Sequence, residues 1–395
     1  MRSISSRISV MSGEGALSVF ARAKELDAQG RSIIHLELGE PDFHPGQSVI
    51  DSVSKALAEG KDRYCAMAGV PALREEIASY LARTRNIHVA EANIVVAPGC
   101  KIALFQSMMA LLEPGDEVLY PDPGFPGYAS ISLGLDAVPV PFTLSARNQF
   151  QPDPDEIASK ITSRTRMLLT NSPGNPTGTV YTDSVQRALA ELAVKHDLWV
   201  LSDEIYARII YDGEYRSMLR YPGMAERTLI IDGFSKSFAM TGWRLGYTVA
   251  PPDVVPALIM MVVNTYTCVA EFTQYAAMEA LRDREGNTPR MVSEFARRRE
   301  QFVRDLNRVP GFRWLPPQGA FYAWVDITGT GISAEELCRI LLEDAGVAAI
   351  PGAAFGPAGK DFIRFSFASS MEMLREAVER IQKVSAAWQG TAAVR

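Results

Sequence analysis

Lys236 stands just after an apolar run, Thr228 to Ile231, that reads as a buried strand, in Ser235-Lys236-Ser237-Phe238-Ala239-Met240-Thr241-Gly242-Trp243-Arg244-Leu245-Gly246. A lysine after a buried strand, with an arginine eight positions on, suits an amine that forms a Schiff base beside a guanidinium that holds an anion. A surface lysine after a strand is the alternative. Two more apolar runs end in polar groups. Leu198-Trp199-Val200-Leu201-Ser202 leads into Asp203, a carboxylate that is costly at a buried strand end unless it is paired, or that caps a helix. Met167 to Thr170 leads into Asn171-Ser172-Pro173-Gly174-Asn175-Pro176-Thr177-Gly178.

Together these strand ends suggest a site for pyridoxal phosphate, a cofactor that acts as an electron sink. Such a site needs an amine for the aldehyde, an acid for the ring nitrogen, donors for the phenolic oxygen, an anion cradle and a flat surface. Lys236 is the candidate amine and proton carrier, and Asp203 the acid. Tyr206 and Asn175 are candidates for the phenolic oxygen, with a packed tyrosine and a turn asparagine as the alternatives. The cradle is expected at Gly99-Cys100-Lys101, where a strand passes into a helix N-terminus, with Ser235 and Arg244 adding a hydroxyl and a guanidinium fork. A lysine in a first helical turn opposes the helix dipole unless an anion sits nearby. Phe125 is either a ring that stacks on the pyridine or a core aromatic. Arg364, a cation among apolar neighbours in Phe362-Ile363-Arg364-Phe365, suits an amino acid's carboxylate or a structural ion pair.

The bulk properties narrow the classes. The chain has 395 residues, 47% apolar and 22% charged, with a net charge of −6, so no general attraction to nucleic acid or anionic membrane is expected. Cys65, Cys100, Cys268 and Cys338 form no Cys-x-x-Cys pair, and His35, His44, His88 and His196 have no metal-ligand spacing, so no metal site is expected. Few cysteines and the lack of a signal-peptide pattern fit a cytoplasmic protein, and no run approaches a membrane span.

The elements that must position these residues alternate. Helical patterns at Gly13–Gln29, Val49–Glu59 and Val70–Arg83 flank a strand-like run, Ile33–Leu38. Strands at Ile94–Ala97, Glu117–Tyr120, Met167–Thr170, Leu198–Leu201, Thr228–Ile231 and Leu245–Ala250 interleave with helices at Lys101–Leu112, Phe125–Leu133 and Asp183–His196. This predicts an α/β fold, a mostly parallel sheet flanked by helices with ligands at the carboxyl ends of its strands. Beyond Gly286-Asn287-Thr288-Pro289 a long helix, Arg290–Asn307, and strand-like pieces Gly319–Val325, Val347–Ile350 and Phe362–Phe367 read as a smaller α+β domain, closed by helices at Ala334–Glu343 and Met371–Ser385. The tail from Ala386 to Arg395 reads as frayed.

These motifs resemble the class I/II aminotransferases of pyridoxal-phosphate fold type I, closest to bacterial aspartate, alanine and aromatic aminotransferases. The resemblance runs from Leu38-Gly39-Glu40-Pro41-Asp42-Phe43 to the Arg364 strand. It implies Lys236 as the cofactor-bearing lysine, Asp203 on the ring nitrogen, Tyr206 and Asn175 on the phenolic oxygen and Arg244 on the phosphate. It further implies Arg364 and Asn175, with the Gly39 backbone, as the carboxylate site. Tyr64 matches a tyrosine that reaches the neighbouring subunit's phosphate, so a homodimer with shared active sites is implied. The implied division is 1–44, an arm and part of the small domain; 45–287, the large cofactor domain; and 288–395, the rest of the small domain. Cys65 replaces a usual threonine or serine, Gly233 stands where some members carry a phosphate-binding serine, and Ser12-Gly13-Glu14-Gly15-Ala16 departs from the usual pocket-lining form. The expected activity is ping-pong amino transfer from an α-amino acid to a 2-oxo acid. Lyase chemistry on the same scaffold is the alternative. A cofactor-sensing regulator is a remote one, since the Gly39 motif begins too early for an upstream DNA-binding domain.

Overall fold

The structure, a computed structural model, describes residues 4–13, 15–282, 287–386 and 388; Glu14 of the pocket-lining stretch, Gly286 of the boundary and most of the tail fall outside them. Among the described residues there are thirteen strands: β1 Ile34–His35, β2 Ile94–Ala97, β3 Glu117–Asp122, β4 Val138–Thr143, β5 Thr165–Asn171, β6 Trp199–Asp203, β7 Thr228–Gly233, β8 Gly246–Val249, β9 Arg313–Trp314, β10 Tyr322–Asp326, β11 Val347–Ala348, β12 Ile350–Pro351 and β13 Phe362–Ser366. Seven of them form one sheet in the order β2-β8-β7-β6-β5-β3-β4. Its inner strands are largely apolar because both faces are covered. Leu119, Leu168 and Val200 pack with Leu189 and Ala193 of the helix Asp183–Lys195. Their chain neighbours Val118, Met167, Leu169 and Leu201 pack on the other face with Leu104 and Leu258. Alternate residues of a strand point to opposite faces, so a doubly covered sheet reads as a continuous apolar run.

Strands β3 to β7 are parallel, as the alternation implies, whereas β8 runs antiparallel to both β2 and β7. This exception positions the site. Gly246 opens β8 opposite both Gly233 and Ala97. The chain entering β8, with Arg244, therefore meets the chain leaving β7, with Lys236, and the helix that follows β2. On the other side Asn171 lies in register with Asp203.

Several boundaries differ from the sequence reading. The helix after β3 spans Gly127–Gly134, which leaves Phe125 in the loop. The edge strand β4 escaped notice because Pro139 and Pro141 break its strand signal; prolines are tolerated at a sheet edge, and this strand is largely open to solvent. The helix Val255–Thr265 carries its proline in the first turn, where no donor is lost. The run Ile33–Leu38 yields only two strand residues, in parallel pairing with β11, because the carbonyls of Leu36, Glu37 and Gly39 turn to other partners. Leu36 O accepts from Ser366 N at 2.7 Å. The chain's early residues are thereby tied to the second sheet, β12-β13-β10-β9, whose strands are antiparallel. No helix among the described residues is long and apolar enough to cross a membrane.

Below the strand ends lies a buried ionic cluster. Arg85 donates to Glu204 Oε2 at 2.6 Å and to Asp232; Ser217 and Tyr247 donate to the same two carboxylates, each at 2.7 Å. All three charged residues are buried, and the paired carboxylates hold the guanidinium firmly protonated despite its burial. Arg85→Met is expected to cost about 3–5 kcal/mol of stability, because it strands two buried charges. Adding Glu204→Gln and Asp232→Asn should recover part of the loss. Denaturant midpoints check this, and a change within error for Arg85→Met would contradict it.

Candidate active site

The strand ends open on a cavity of about 280 Å³. Asp203, the last residue of β6, extends its carboxylate into it. Tyr128 donates its phenolic hydrogen to Asp203 Oδ2 at 2.7 Å, and Ile205 N donates to Oδ1 at 3.3 Å. Burial pushes the Asp203 carboxyl up to about 6, against which the Tyr128 hydrogen bond pulls downward. A carboxylate so placed is stabilised by a cation delivered into the cavity. Asn171 donates to the Asp203 carbonyl at 3.0 Å and accepts from Asn175 N at 2.9 Å, which fixes the loop after β5 against β6. Lys236 lines the same cavity and donates to the Gly39 carbonyl at 2.5 Å.

The N-terminus of the helix Cys100–Leu111, the expected anion cradle, opens on the same cavity. Gly99 precedes it at φ +96°, and a Cβ there would stand 2.7 Å from Arg244 Nη2. Only glycine lets the helix N-terminus and the guanidinium come so close, an arrangement that suits a shared anion. Arg244 itself has φ 53° and donates from Nη1 to Thr241 O at 2.9 Å. Gly233 has the same explanation: a Cβ would lie 2.8 Å from Cys100 Sγ and from Gly246 Cα, so no serine fits there without displacing the cradle. Ser235 lines the cavity instead. Burial pushes the Cys100 thiol well above its ordinary range, so its backbone, not a thiolate, is what it offers the cradle. Lys101 is exposed, with Nζ 5.7 Å from the centre of the Phe125 ring, and Phe125 meets Tyr128 edge-on at 5.5 Å.

A second guanidinium faces the cavity from β13. Arg364 is 4% exposed and donates to Asn175 Oδ1 at 3.0 Å and to the Glu37 carbonyl at 2.5 Å. Its guanidinium lies 4.4 Å from the Tyr322 ring centre and 4.8 Å from that of Phe355. The Tyr322 and Tyr206 hydroxyls are 2.7 Å apart, and burial holds the Tyr206 phenol well above its ordinary range. Any side chain at Gly39 would overlap the Tyr322 hydroxyl.

The cavity thus gathers Gly39, Cys100, Lys101, Phe125, Asn175, Asp203, Tyr206, Ser235, Lys236, Arg244 and Arg364, with Gly99 backing Arg244. Tyr64 is not among its lining residues and is 85% exposed. Tyr128, Asn171 and Tyr322 were missed from sequence: the tyrosines lie inside apolar stretches that mimic core, and Asn171 was passed over for Asn175. The donor set fits pyridoxal phosphate. An anion cradle that a Cβ would fill, a carboxylate destabilised by burial and an amine share one pocket.

Comparison with known proteins decides the family. A model of the aminotransferases of class I and II matches residues 31–381. The chain belongs to this family. Aspartate aminotransferase of Pyrococcus horikoshii is 37% identical over 96% of this chain and 96% of its own. Aspartate/prephenate aminotransferase of Thermus thermophilus is 38% identical, over 97% and 99%. The structure of Thermus thermophilus aspartate aminotransferase with maleate superposes with a TM-score of 0.92, at 38% identity over 97% and 100% of the two chains. The protein is an aminotransferase of pyridoxal-phosphate fold type I, and these relatives give the lyase and regulator alternatives no support.

The raised Asp203 carboxyl makes the cofactor-free aminotransferase pH-sensitive. A carboxyl whose folded value lies above its unfolded value of 3.8 contributes stability below that value, which is lost as pH rises towards about 6. Cofactor-free enzyme is therefore expected to lose stability between those pH values. Asp203→Asn should remove that slope, and Tyr128→Phe should carry it to higher pH. Thermal unfolding across the range checks this; an unchanged slope in Asp203→Asn would contradict it.

Proposed function

We propose that Lys236 is the catalytic amine of this aminotransferase, that Asp203 holds the ring nitrogen of the cofactor and that Tyr206 and Asn175 hold its phenolic oxygen. Gly99, Cys100 and Lys101 at the helix N-terminus, with Ser235 and Arg244, hold its phosphate, and Phe125 covers its ring. Arg364, Asn175 and the Gly39 backbone hold the α-carboxylate of the amino acid. The convergence of Lys236, Asp203 and Arg244 on one cavity carries the reading. Pyridoxal phosphate supplies the electron sink that accepts the electron pair of the substrate's α carbon. Lys236, once free of the cofactor, takes the α proton and returns it on the other side of the reaction. Arg364 fixes the carboxylate, and with it which bond at the α carbon stands exposed to that amine. An α-amino acid leaves as its 2-oxo acid, and a second 2-oxo acid then takes the amino group in the ping-pong cycle.

An acidic amino acid is the proposed donor. Lys101, placed in the phosphate cradle above, also stands beside Phe125 at the cavity wall, and a second carboxylate is its alternative use. The relatives named for aspartate, and the one solved with the dicarboxylate maleate, support this. The enzyme is proposed to work in the cytoplasm as a homodimer in which the exposed Tyr64 reaches the partner's phosphate site. The division into 45–287 and a unit built from 1–44 with 288–395 is likewise proposed, on the support of the β1–β11 pairing.

Lys236→Ala is expected to lower amino transfer at least about a thousandfold while the cofactor still binds. Retained turnover would contradict the role. Arg364→Leu should weaken amino-acid binding roughly a hundredfold and leave binding of the corresponding amine nearly intact. Equal losses would make Arg364 structural. Turnover of aspartate and alanine by Lys101→Ser separates the two uses of Lys101. Selective loss with aspartate supports the second carboxylate, and equal loss with both places Lys101 in the cradle.

A further inference from the structure

Behind the carboxylate site lies a chain of charge that the transfer reaction does not require. His35 and Glu37 are two residues apart on an extended segment and point to the same side. His35 Nδ1 lies 2.7 Å from Glu37 Oε1, and His35 Nε2 lies 2.9 Å from Asp27 Oδ2 on the helix Gly15–Ala28. Both ring nitrogens therefore face carboxylates. A neutral imidazole carries one N–H and one lone pair, so it would turn a lone pair towards one of them; the imidazolium donates to both. Glu37 is fully buried, and its Oε2 has no hydrogen-bond partner among the described residues. Its one donor must therefore do much to offset the desolvation of the carboxylate.

The charged neighbours are few. The helix brings Asp27 and, 3.5 Å beyond it, Lys24, while the Phe20 ring meets His35 edge-on at 5.9 Å. The paired strand, β11, brings Val347 and Ala348 and no charge. Across the adjoining surface groove stand Glu40, Asp42 and His44. Of these, Asp42 accepts from Arg298 at 2.6 Å and Glu40 from Thr241.

Both ends of this chain reach the reaction cavity. The Glu37 carbonyl accepts from Arg364 and the Gly39 carbonyl from Lys236, each at 2.5 Å. The first turn of the helix contributes Gly15 and Leu17 to the cavity wall.

We propose that His35 is a positioning residue for the substrate-carboxylate site: shared as an imidazolium between Asp27 and Glu37, it latches the helix Gly15–Ala28 to the segment whose carbonyls hold Arg364 and Lys236. This rests on the reading of Arg364 as the carboxylate clamp. The latch responds to pH. Burial lowers the affinity of His35 for its proton, but the hydrogen bonds to Glu37 and Asp27 outweigh that and raise it above its ordinary value of 6.5. A raised histidine holds its contribution below the unfolded value and loses it as pH rises through the folded one. The clamp therefore loosens on the alkaline side.

The test compares, for the holoenzyme, KM for an amino acid with KM for the amine that lacks its carboxylate, from about pH 6 to about pH 9.5. Taking the ratio cancels any pH effect common to both substrates. In the wild type the ratio is expected to rise roughly tenfold with pH while kcat moves less. His35→Gln, which can donate to only one carboxylate, and the milder Asp27→Asn should start with the raised ratio and show a flat profile. Adding Glu37→Gln to His35→Gln should recover part of the low ratio, because no buried charge is then left alone. Imidazole NMR should show one histidine titrating above the ordinary range, absent in His35→Gln. An amino-acid preference in the wild type that persists with the same pH profile in both single variants would overturn the latch and leave the Arg364 reading standing. Equal KM values for amino acid and amine in the wild type at every pH would overturn both.

Discussion

The site depends on a carboxylate held where carboxylates are unstable. Asp203 ends a buried strand, and burial alone moves it towards the neutral form. Tyr128 and the Ile205 amide recover part of that cost but leave the charge facing the cavity. On the proposed assignment, a cofactor ring nitrogen that becomes a cation would supply what is missing, and the buried carboxylate would be complementary to it before it arrives. The nearby Glu204 and Asp232 would make the local field more negative still. Arg85 pairs both from below and offsets one of their two charges, which leaves Asp203 as the carboxylate that faces the cavity.

Backbone approach is the second constraint. The proposed phosphate cradle rests on an antiparallel strand, β8, that delivers Arg244 to a helix N-terminus which β2 supplies from the other side. Three glycines make room for that meeting. Gly99 admits the guanidinium, while Gly233 and Gly246 let two strand ends and the helix start come into contact. A serine at position 233 would have to displace one of them. On the opposite wall, Gly39 leaves room for the Tyr322 hydroxyl, and its carbonyl still reaches Lys236.

What could be read from sequence followed from strength of signal. Lys236, Asp203 and Asn175 lie just after long apolar runs, and a polar group in that position is rare enough to stand out. The helix N-terminus at Gly99 was equally plain. Tyr128 and Tyr322 carry no such contrast, since a tyrosine between apolar residues looks the same whether its hydroxyl meets solvent, core or a ligand. Their roles depend on pairing between segments far apart in the chain: Tyr128 with Asp203, Tyr322 with Tyr206. The reversal of β8 left no trace in its residues, because periodicity reports burial and not direction. The edge strand with Pro139 and Pro141 was hidden by residues that only an edge tolerates. Glu37 lay inside an apolar run, and its importance became visible only once His35 and the Arg364 contact were placed beside it.

The central claim is that the amine of Lys236 holds the cofactor at this convergence of charges. Borohydride reduction of the purified enzyme, followed by peptide mass mapping, tests it most directly, because reduction fixes the cofactor to the amine that carries it. The phosphopyridoxyl mass is expected on the peptide containing Lys236 and on no other lysine. Its appearance on Lys101 or any other lysine, with Lys236 unmodified, would contradict the account.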